Sequence, residues 1–198
     1  MFEPDSDDPI ELFGQWFYEA EKSEPNDANA MSLATVSNVG LPSARVVLMK
    51  EYDNEGFVFY TNLKSRKSKE FLQNTNVAVC FHWKSMHRQV RIEGTTSLVT
   101  SAEADSYFAS RPRASQLGAW ASRQSEPLTS REELLSSLQK FEKKYGDNVI
   151  PRPPHWGGVR ISPLKIEFWQ DGDFRLHDRF LYKKKPNGLG WEKARLYP

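Results

Sequence analysis

The 198-residue sequence predicts a mainly β protein with flanking helices, in which an antiparallel sheet closes, or nearly closes, into a barrel. Three observations predict this class. Runs of β-branched and aromatic residues are short and numerous, turn residues separate them at hairpin spacing, and the helical segments are few. Strands joined by short turns favour an antiparallel meander over alternating strand–helix–strand units. We expect a single domain over residues 1–198, because a chain of this length forms one core.

The first predicted element is an amphipathic helix within an acidic segment, residues 1–30. Asp8 is suited to the N-cap, Pro9 to the first helical position and Glu11 to the third. Apolar residues then recur at helical spacing, at Leu12, Phe13, Trp16, Phe17 and Ala20. The pattern predicts one helix that ends near Lys22.

Ten β-type runs follow the first helix. Residues 37–40 and 53–56 contain Asn, Asp and Gly and are typical hairpin loops, and Asp171-Gly172 is a further turn. The prolines of residues 150–154 divide the runs into two groups. The predicted strands are residues 31–36, 44–52, 56–61, 77–83, 89–99, 158–161, 165–170, 174–176, 179–183 and 191–196.

Three more helices interrupt these strands, and a residue suited to capping precedes each of them. The predicted caps are Ser65, Thr100 and Thr129. Glu103 and Glu132 stand three residues after the two threonines, which is the spacing of a capping box. Gly146 is suited to end the last helix.

The charges are divided unevenly along the chain. The net charge is +1, but residues 1–30 contain nine acids and one base, which leaves 26 bases and 17 acids on residues 31–198. The body of the chain should therefore bind anions. Because the bases form short clusters, small phosphorylated ligands fit this pattern better than nucleic acid, which is the alternative for a basic barrel.

The sequence argues against a membrane protein, a metal site and a disulfide-bonded secreted protein. No apolar stretch approaches the roughly 18 residues that cross a bilayer, and the acidic start lacks the features of a targeting segment. The four histidines have no partners at zinc-like spacing. The single cysteine, Cys80, lies in an apolar run, so we expect a buried thiol and a cytoplasmic location.

Two segments have the composition of phosphate sites. Residues 60–67 lead from a predicted strand into a helix, where Arg66 and Lys67 adjoin free backbone N–H groups. Residues 110–116 place two arginines and two hydroxyl groups in a short bend between helical segments. Each segment could instead be solvated basic surface, a helix start in the first case and a turn in the second. If both are sites, the protein binds two phosphorylated ligands or one diphosphate.

A third cluster combines aromatic and ionisable side chains near the C-terminus. Along a strand, Arg175, His177 and Arg179 would share one face. Leu176 and Asp178 would point to the other face, so His177 and Asp178 should not bond to each other. Because three cationic groups on one face repel one another, the cluster favours a functional role with an anionic partner.

Three more segments allow more than one interpretation. Arg45 and Lys50 lie on opposite faces of a flat strand, so one ligand could meet both only across a bend, a bulge or a strand end. The pair Gly157-Gly158 predicts a tight turn rather than a phosphate cradle. Residues 183–188 predict a solvated hairpin tip.

Short motifs follow one another in a fixed order along the chain. They are Arg45-Val46-Val47-Leu48-Met49-Lys50, Phe59-Tyr60-Thr61-Asn62, Ser65-Arg66-Lys67, Arg88-Gln89-Val90, Tyr107-Phe108-Ala109-Ser110-Arg111-Pro112, Ser115-Gln116, Gln124-Ser125, Trp156-Gly157-Gly158, Glu167-Phe168-Trp169-Gln170 and Arg175-Leu176-His177-Asp178-Arg179. In this order they resemble the pyridoxine/pyridoxamine 5′-phosphate oxidase family from about residue 8 to the C-terminus. The resemblance implies an antiparallel split β-barrel of the FMN-binding type, which agrees with the barrel predicted above.

The same resemblance implies a role for each matching position. FMN contacts would come from Arg45, Val46, Val47, Leu48, Met49, Lys50, Tyr60, Thr61, Arg66, Lys67, Gln89, Gln124, Ser125, Trp169 and Arg179. Substrate contacts would come from Lys50, Tyr107, Arg111, Ser115, Arg175, Leu176 and His177. Of these, Arg175 and His177 would face the pyridine ring as the catalytic residues.

The implied activity is that of an enzyme, an oxidase of vitamin B6 salvage. It would use FMN and O2 to convert pyridoxamine 5′-phosphate and pyridoxine 5′-phosphate to pyridoxal 5′-phosphate, releasing hydrogen peroxide and, from the amine, ammonia. The implied assembly is a homodimer with FMN between the subunits, with neither nucleic acid nor a membrane as a partner. Two alternatives share the fold: another FMN-dependent reductase, or a non-catalytic protein that binds flavin or a B6 phosphate.

The N-terminal segment departs from the family pattern. Family members usually carry a basic and aromatic stretch that can close over the substrate, whereas residues 1–8 here are acidic. The departure implies either that closure over the substrate differs in this chain or that the chain is shortened at its N-terminus.

Overall fold

The computed structural model describes all 198 residues, which form eight strands and five α-helices. The strands are β1 (Ala30–Val36), β2 (Pro42–Asp53), β3 (Gly56–Asn62), β4 (Asn76–Trp83), β5 (Arg88–Leu98), β6 (Trp156–Gln170), β7 (Asp178–Lys184) and β8 (Trp191–Leu196). The helices are α1 (Pro9–Ser23), α2 (Arg66–Gln73), α3 (Ser101–Ser110), α4 (Arg113–Ala121) and α5 (Arg131–Tyr145).

Six of the strands close into an antiparallel barrel. The order across the sheet is β3-β2-β1-β4-β5-β6, and β6 pairs with β3 to complete the ring. Strands β7 and β8 extend the sheet beyond β6. The mainly β class with flanking helices is therefore confirmed, and the long β6 is the strand that joins the barrel to its extension.

The core of the barrel is aromatic, and α1 covers it. Phe13 is fully buried and its ring centroid lies 4.9 Å from that of Phe57 and 5.2 Å from that of Phe81. The helix begins where it was predicted, because the Asp8 carboxylate accepts a hydrogen bond from the backbone N–H of Ile10 at 2.8 Å. Burial of one such phenylalanine stabilises the fold by about 1.5 to 3 kcal/mol.

The acidic N-terminal segment is bound to the extension of the sheet. The backbone N–H of Phe2 donates to Asp178 at 2.6 Å, Lys193 pairs with Asp7 at 2.8 Å, and Arg195 pairs with Glu3. The segment therefore docks through charge on β7 and β8.

Strand β6 is continuous where two strands and a turn were expected. Gly157 and Gly158 lie inside it, opposite Thr61 and Tyr60 of β3, so the tight turn predicted for this pair is wrong. A Cβ on Gly158 would lie 2.6 Å from Cε1 of Tyr60. The glycine therefore leaves room for the Tyr60 ring to lie against the strand. The residues next to Gly158 in sequence do not reveal this role, because Tyr60 belongs to another strand.

The segment 174–176 is not a strand. Asp173–Arg175 form a single 3-10 turn, in which Phe174 and Arg175 have φ values of 55° and 65°. The predicted common face of Arg175, His177 and Arg179 is therefore wrong, because β7 begins only at Asp178. The turn that was predicted at Asp171-Gly172 extends over residues 171–177, from the end of β6 to the start of β7.

Two helix predictions also need correction. The bend expected at residues 110–116 is limited to Arg111 and Pro112, after which α4 begins. Helix α5 is capped by Ser130, whose hydroxyl accepts from the backbone N–H of Glu133, one residue later than predicted. The caps at Thr100 and Gly146 are confirmed.

Cys80 is half-buried, not buried as predicted. It alternates along β4 with Val79 and Phe81, whose side chains fill the barrel, so the thiol lies on the outer face. Partial burial raises the pKa of the thiol.

None of the five helices combines the length and apolar character that a membrane crossing requires.

Candidate functional site

A cavity of about 840 Å³ opens between β2, β3 and helices α2, α3 and α4. No aspartate or glutamate lines this cavity, and its cations come from separate parts of the chain. They are Arg45, Lys50, Arg66, Lys67 and Arg111. The two segments predicted as phosphate sites therefore form one basic cavity, and such a lining favours anionic ligands.

A β-bulge brings Arg45 and Lys50 to the same cavity. The pairing of β2 with β3 shifts between Met49 and Glu51, so Lys50 is the extra residue on β2. Both side chains line the cavity, while Met49 is buried in the core and does not. The bulge was one of the geometries that the sequence left open for this pair.

A buried carboxylate holds two of the arginines. Oε1 of Glu70 accepts a hydrogen bond from Nε of Arg66 at 2.9 Å, and Oε2 lies 3.4 Å from Nη2 of Arg45. Oε2 also accepts from the hydroxyl groups of Ser43 and Thr35. Burial by itself would raise the pKa of Glu70, but these hydrogen bonds and Arg66 lower it to about 2.

Lys67 is a buried cation with no carboxylate in contact. Its Nζ donates to Ser65 Oγ and to Gln124 Oε1, both at 3.1 Å. Burial and the charge of Arg45 lower the pKa of Lys67 to about 8. Ser65 is the N-cap of α2 as predicted, although its hydroxyl lies 3.0 Å from that of Ser68 and makes no capping bond. A bound anion would offset the desolvation of this amine.

Three aromatic rings lie parallel at one side of the cavity. The ring centroids of Tyr60 and Tyr107 are 3.9 Å apart, and those of Tyr60 and Trp156 are 5.4 Å apart. The interplanar angles are 11° and 9°. Burial and the neighbouring Glu51 carboxylate raise the pKa of Tyr60, so its hydroxyl remains a hydrogen-bond donor. Such a flat wall suits a planar ligand.

Arg111 lines the cavity and has one buried donor without a partner. Its Nη1 is buried and has no hydrogen-bond partner, and its guanidinium lies 4.8 Å from the Trp156 ring centroid. The Gln116 side-chain amide donates to the carbonyl oxygens of Phe108 and Arg111, which fixes the bend before α4. A buried donor without an acceptor costs about 1 to 3 kcal/mol, so a phosphate oxygen at this place would be favourable.

These observations fit a flavin phosphate and a second phosphorylated ring. The cavity has five cations, a flat aromatic wall and an arginine with an unpaired donor, and its volume lies in the range of small-molecule sites. Its lining includes most of the residues that the sequence assigned to either ligand. These are Arg45, Val46, Val47, Leu48, Lys50, Tyr60, Thr61, Arg66, Lys67, Tyr107, Arg111, Ser115, Gln124 and Ser125.

The other predicted residues form a second group outside this cavity. On the sheet, Gln89 pairs with Trp169, and Trp169 pairs with Arg179. The His177 ring centroid lies 4.7 Å from that of Trp169, and Arg175 lies in the exposed turn beside it with Leu176. Trp169 is eleven residues beyond Gly158 on β6, which is roughly 35 Å of extended strand.

Sequence reasoning missed several residues that shape the site. Glu70 stands four residues after Arg66 on α2, a helical spacing that does indicate an ion pair. Ser43 and Trp156 also line the cavity, and Trp156 was noted only as part of a motif. Asp171, which contacts His177, was not predicted as a site residue, because the two side chains meet only through the conformation of the turn between them.

The comparisons with known proteins agree with this geometry. A family model described as pyridoxamine 5′-phosphate oxidase matches residues 17–169, and one described as the pyridoxine 5′-phosphate oxidase C-terminal dimerisation region matches residues 156–198. The chain is 54% identical over 193 residues to a pyridoxine/pyridoxamine 5′-phosphate oxidase of Azorhizobium caulinodans, covering 98% of this chain and 91% of that one. It is 53% identical over 195 residues to the protein of that name from Rhizobium etli, covering 98% and 94%.

Two solved structures share the fold. PhzG from Burkholderia lata 383, in complex with tetrahydrophenazine-1-carboxylic acid, has a TM-score of 0.92 at 28% identity and covers 100% of this chain and 98% of its own. A pyridoxamine 5′-phosphate oxidase-related, FMN-binding protein from Nostoc punctiforme has a TM-score of 0.77 at 16% identity, covering 96% and 98%. The second likeness concerns the fold alone.

Proposed function

Because the chain belongs to the pyridoxamine 5′-phosphate oxidase family, we propose that its basic cavity binds FMN and the phosphate ester of a B6 substrate side by side. The enzyme oxidises pyridoxamine 5′-phosphate and pyridoxine 5′-phosphate to pyridoxal 5′-phosphate in vitamin B6 salvage. The observation that carries the proposal is the cavity lining, which has five cations and no carboxylate. Two phosphate monoesters would supply the missing negative charge.

The two phosphates have separate places in this proposal. The FMN phosphate lies at the start of α2, against Arg45, Arg66 and Lys67, where free N–H groups of the first helical turn add to the cations. The substrate phosphate lies against Arg111, with the hydroxyl groups of Tyr107 and Ser115 beside it. Lys50 contacts both ligands in this proposal, because it lines the cavity and belongs to both sets of residues that the family resemblance implies.

FMN would supply the redox chemistry, taking a hydride equivalent from the C4′ carbon of the substrate and passing the electrons to O2 as hydrogen peroxide. The residues of the chain bind FMN and the substrate, orient them and shield them from water. Glu70 keeps Arg45 and Arg66 in place before a ligand arrives, which lowers the entropy that binding must overcome. The stacked rings exclude water from one side of the cavity.

The second group of predicted residues is brought to the cavity by a second subunit. In this proposal the active unit is a homodimer with FMN at the interface, and Gln89, Trp169 and Arg179 of one subunit complete the cavity of the other. Two observations support it: the matched dimerisation region, which includes β6, β7 and β8, and the exposed apolar side chains of Val46 and Leu48 at the cavity rim.

Other features of the proposal follow from the chain as a whole. Residues 1–198 act as one domain, and a reducing compartment such as the cytoplasm suits the single free thiol.

The spectrum of the purified protein tests the proposed function. We expect a yellow protein that binds FMN, and we expect its visible absorption to bleach when pyridoxamine 5′-phosphate is added without oxygen. Readmitting oxygen should restore the colour and release hydrogen peroxide. A colourless protein that takes up no FMN would contradict the cofactor proposal. A flavin that bleaches with tetrahydrophenazine-1-carboxylic acid and not with a B6 phosphate would assign the cavity to another flavin enzyme.

Mixing two impaired variants tests the shared site, provided that activity is assayed near the wild-type KM, where a variant with a greatly raised KM has almost no activity. Arg111→Met damages the first group, and Arg175→Met damages the second. If each site takes one group from each subunit, dissociating and reassociating an equal mixture should give about a quarter of the wild-type activity, since half the dimers then hold one intact site of two. No recovery of activity, with heterodimers shown by mass spectrometry, would mean that each site lies within one subunit.

A further inference from the structure

The turn between β6 and β7 holds His177 against Asp171. Nδ1 of His177 lies 2.9 Å from Oδ1 of Asp171. The imidazole also lies beside the Trp169 indole, at a centroid distance of 4.7 Å, and the His177 side chain is only 16% exposed. The ring therefore has a defined orientation, fixed by a carboxylate at one nitrogen and by an aromatic face.

The position of Asp171 does not depend on His177. The Asp171 backbone N–H donates to the carbonyl oxygen of His87 at 3.0 Å, which ties it to the turn between β4 and β5. Nε of Arg88 donates to the Gln170 side-chain oxygen at 2.6 Å, which holds the preceding residue to the same region. The other carboxylate oxygen of Asp171 lies 3.7 Å from Nδ1 of His87. The carboxylate is thus placed by a neighbouring hairpin, and His177 is oriented against it.

The contacts of His177 identify the nitrogen that carries the proton. The Gly172 backbone N–H also points at Nδ1, at 3.2 Å, but one nitrogen cannot accept from Gly172 and donate to Asp171. A carboxylate only accepts, and a lone pair on Nδ1 facing it at 2.9 Å would be repulsive. The shorter, charge-assisted contact therefore dominates, and Nδ1 bears the proton.

Two of the charged neighbours of this pair, Asp178 and Arg179, are engaged elsewhere. Asp178, the adjacent residue in sequence, accepts from the Phe2 backbone N–H at 2.6 Å. Arg179 pairs with Glu167 at 2.9 Å. His87 faces the far oxygen of Asp171, and the exposed Asp173 and Arg175 lie in the turn itself. Asp171 is accordingly the acid that His177 contacts.

Resting on the proposed function, in which His177 faces the substrate ring, we propose that Asp171 is a positioning residue for His177. It holds the imidazole in the tautomer with the proton on Nδ1, which leaves Nε2 of the neutral ring as an acceptor. Nε2 then accepts a hydrogen bond from the amino or hydroxyl group at C4′ of the substrate. Asp171 itself does not touch the substrate.

Nitrogen NMR of the FMN-loaded protein, with ¹⁵N-labelled histidine, tests the tautomer directly. In the wild type we expect the His177 proton on Nδ1, and in Asp171→Ala we expect a mixture of tautomers. Asp171→Asn should largely keep the wild-type tautomer, because its side-chain oxygen still accepts from Nδ1. Asp173→Ala, which removes the same charge two residues away, should change nothing.

Steady-state kinetics of the same variants supply the second measurement. We expect kcat to fall about tenfold in Asp171→Ala, because His177 is then no longer held with Nε2 as the acceptor for the substrate. FMN binding should be unchanged. Asp171→Asn should recover most of it. A wild-type His177 with an unprotonated Nδ1, or an unchanged tautomer in Asp171→Ala, would overturn the inference. If instead the tautomer responds as expected while His177→Gln leaves turnover intact, the assignment of His177 in the proposed function fails.

Discussion

Replacing Arg111 by methionine is expected to raise KM for pyridoxamine 5′-phosphate about 100-fold and to leave the FMN content of the protein unchanged. Methionine keeps an unbranched apolar stem but removes the guanidinium that lies over Trp156, with its charge and its donors, including the unpaired Nη1. Two charge-assisted hydrogen bonds at about 1.5 kcal/mol each account for a change of this size. Initial rates at varied substrate concentration, together with the flavin absorbance of each preparation, measure both quantities.

Arg113→Met is the matched control for this variant. Arg113 lies two residues away, but its guanidinium donates to the carbonyl oxygens of Asn148 and Gly146 at the end of α5 and does not line the cavity. We expect its KM to equal that of the wild type. Equal increases in the two variants would mean that the basic surface as a whole attracts the substrate, and Arg111 would lose its assigned phosphate.

Replacing Glu70 by leucine is expected to lower the free energy of unfolding of the FMN-free protein by about 3 to 5 kcal/mol. The change leaves the half-buried guanidinium of Arg45 without its counter-ion and removes the acceptor of the Thr35 and Ser43 hydroxyl groups. Losing one partner of a buried ion pair is costly because the other charge stays desolvated. Urea unfolding followed by tryptophan fluorescence gives the difference between the two proteins.

Glu70→Gln separates charge from shape in this network. It keeps one acceptor and the volume of the side chain, so we expect a loss of about 1 to 2 kcal/mol. The pKa of Glu70 in the folded protein is about 2, below its ordinary value of 4.5. As the pH falls, the unfolded chain therefore protonates Glu70 before the folded chain does, and this favours unfolding. The advantage of wild type over Glu70→Gln should therefore be complete above pH 4.5 and shrink as the pH falls toward 2. An advantage that is constant across this range would show that the charge of Glu70 contributes nothing.

Local signals in the sequence predicted most of the elements correctly. Asp8 and Thr100 cap the helices expected of them, and Gly146 ends α5. Runs of β-branched and aromatic residues between turn residues located the strands of the barrel, although β6 was expected as two strands. One failure occurred where a partner distant in sequence decides the conformation, since Gly158 lies in a strand because β6 pairs there with β3. Another was local, since Arg175 lies in a turn with positive φ.

The same division applies to the site. The order of the motifs indicated the family, which the matching family models confirm. The flavin and the phosphate contacts that the same motifs implied belong to the proposed function. The order of the motifs could not show that Arg66 and Arg111 share one cavity, nor that Lys50 joins them through a bulge. Glu70 and Asp171 also came only from the folded chain.

By itself, the sequence of this protein determined the barrel, its flanking helices and the basic excess of residues 31–198, which favours anionic ligands. Periodicity and capping depend on residues a few positions apart, and clustered bases select anions wherever the chain places them. Only the tertiary structure decided which cations meet, which carboxylates hold them and which predicted residues lie too far along β6 to reach the cavity. These outcomes depend on strand register and on a single inserted residue, and each of them changes the face on which every later side chain lies.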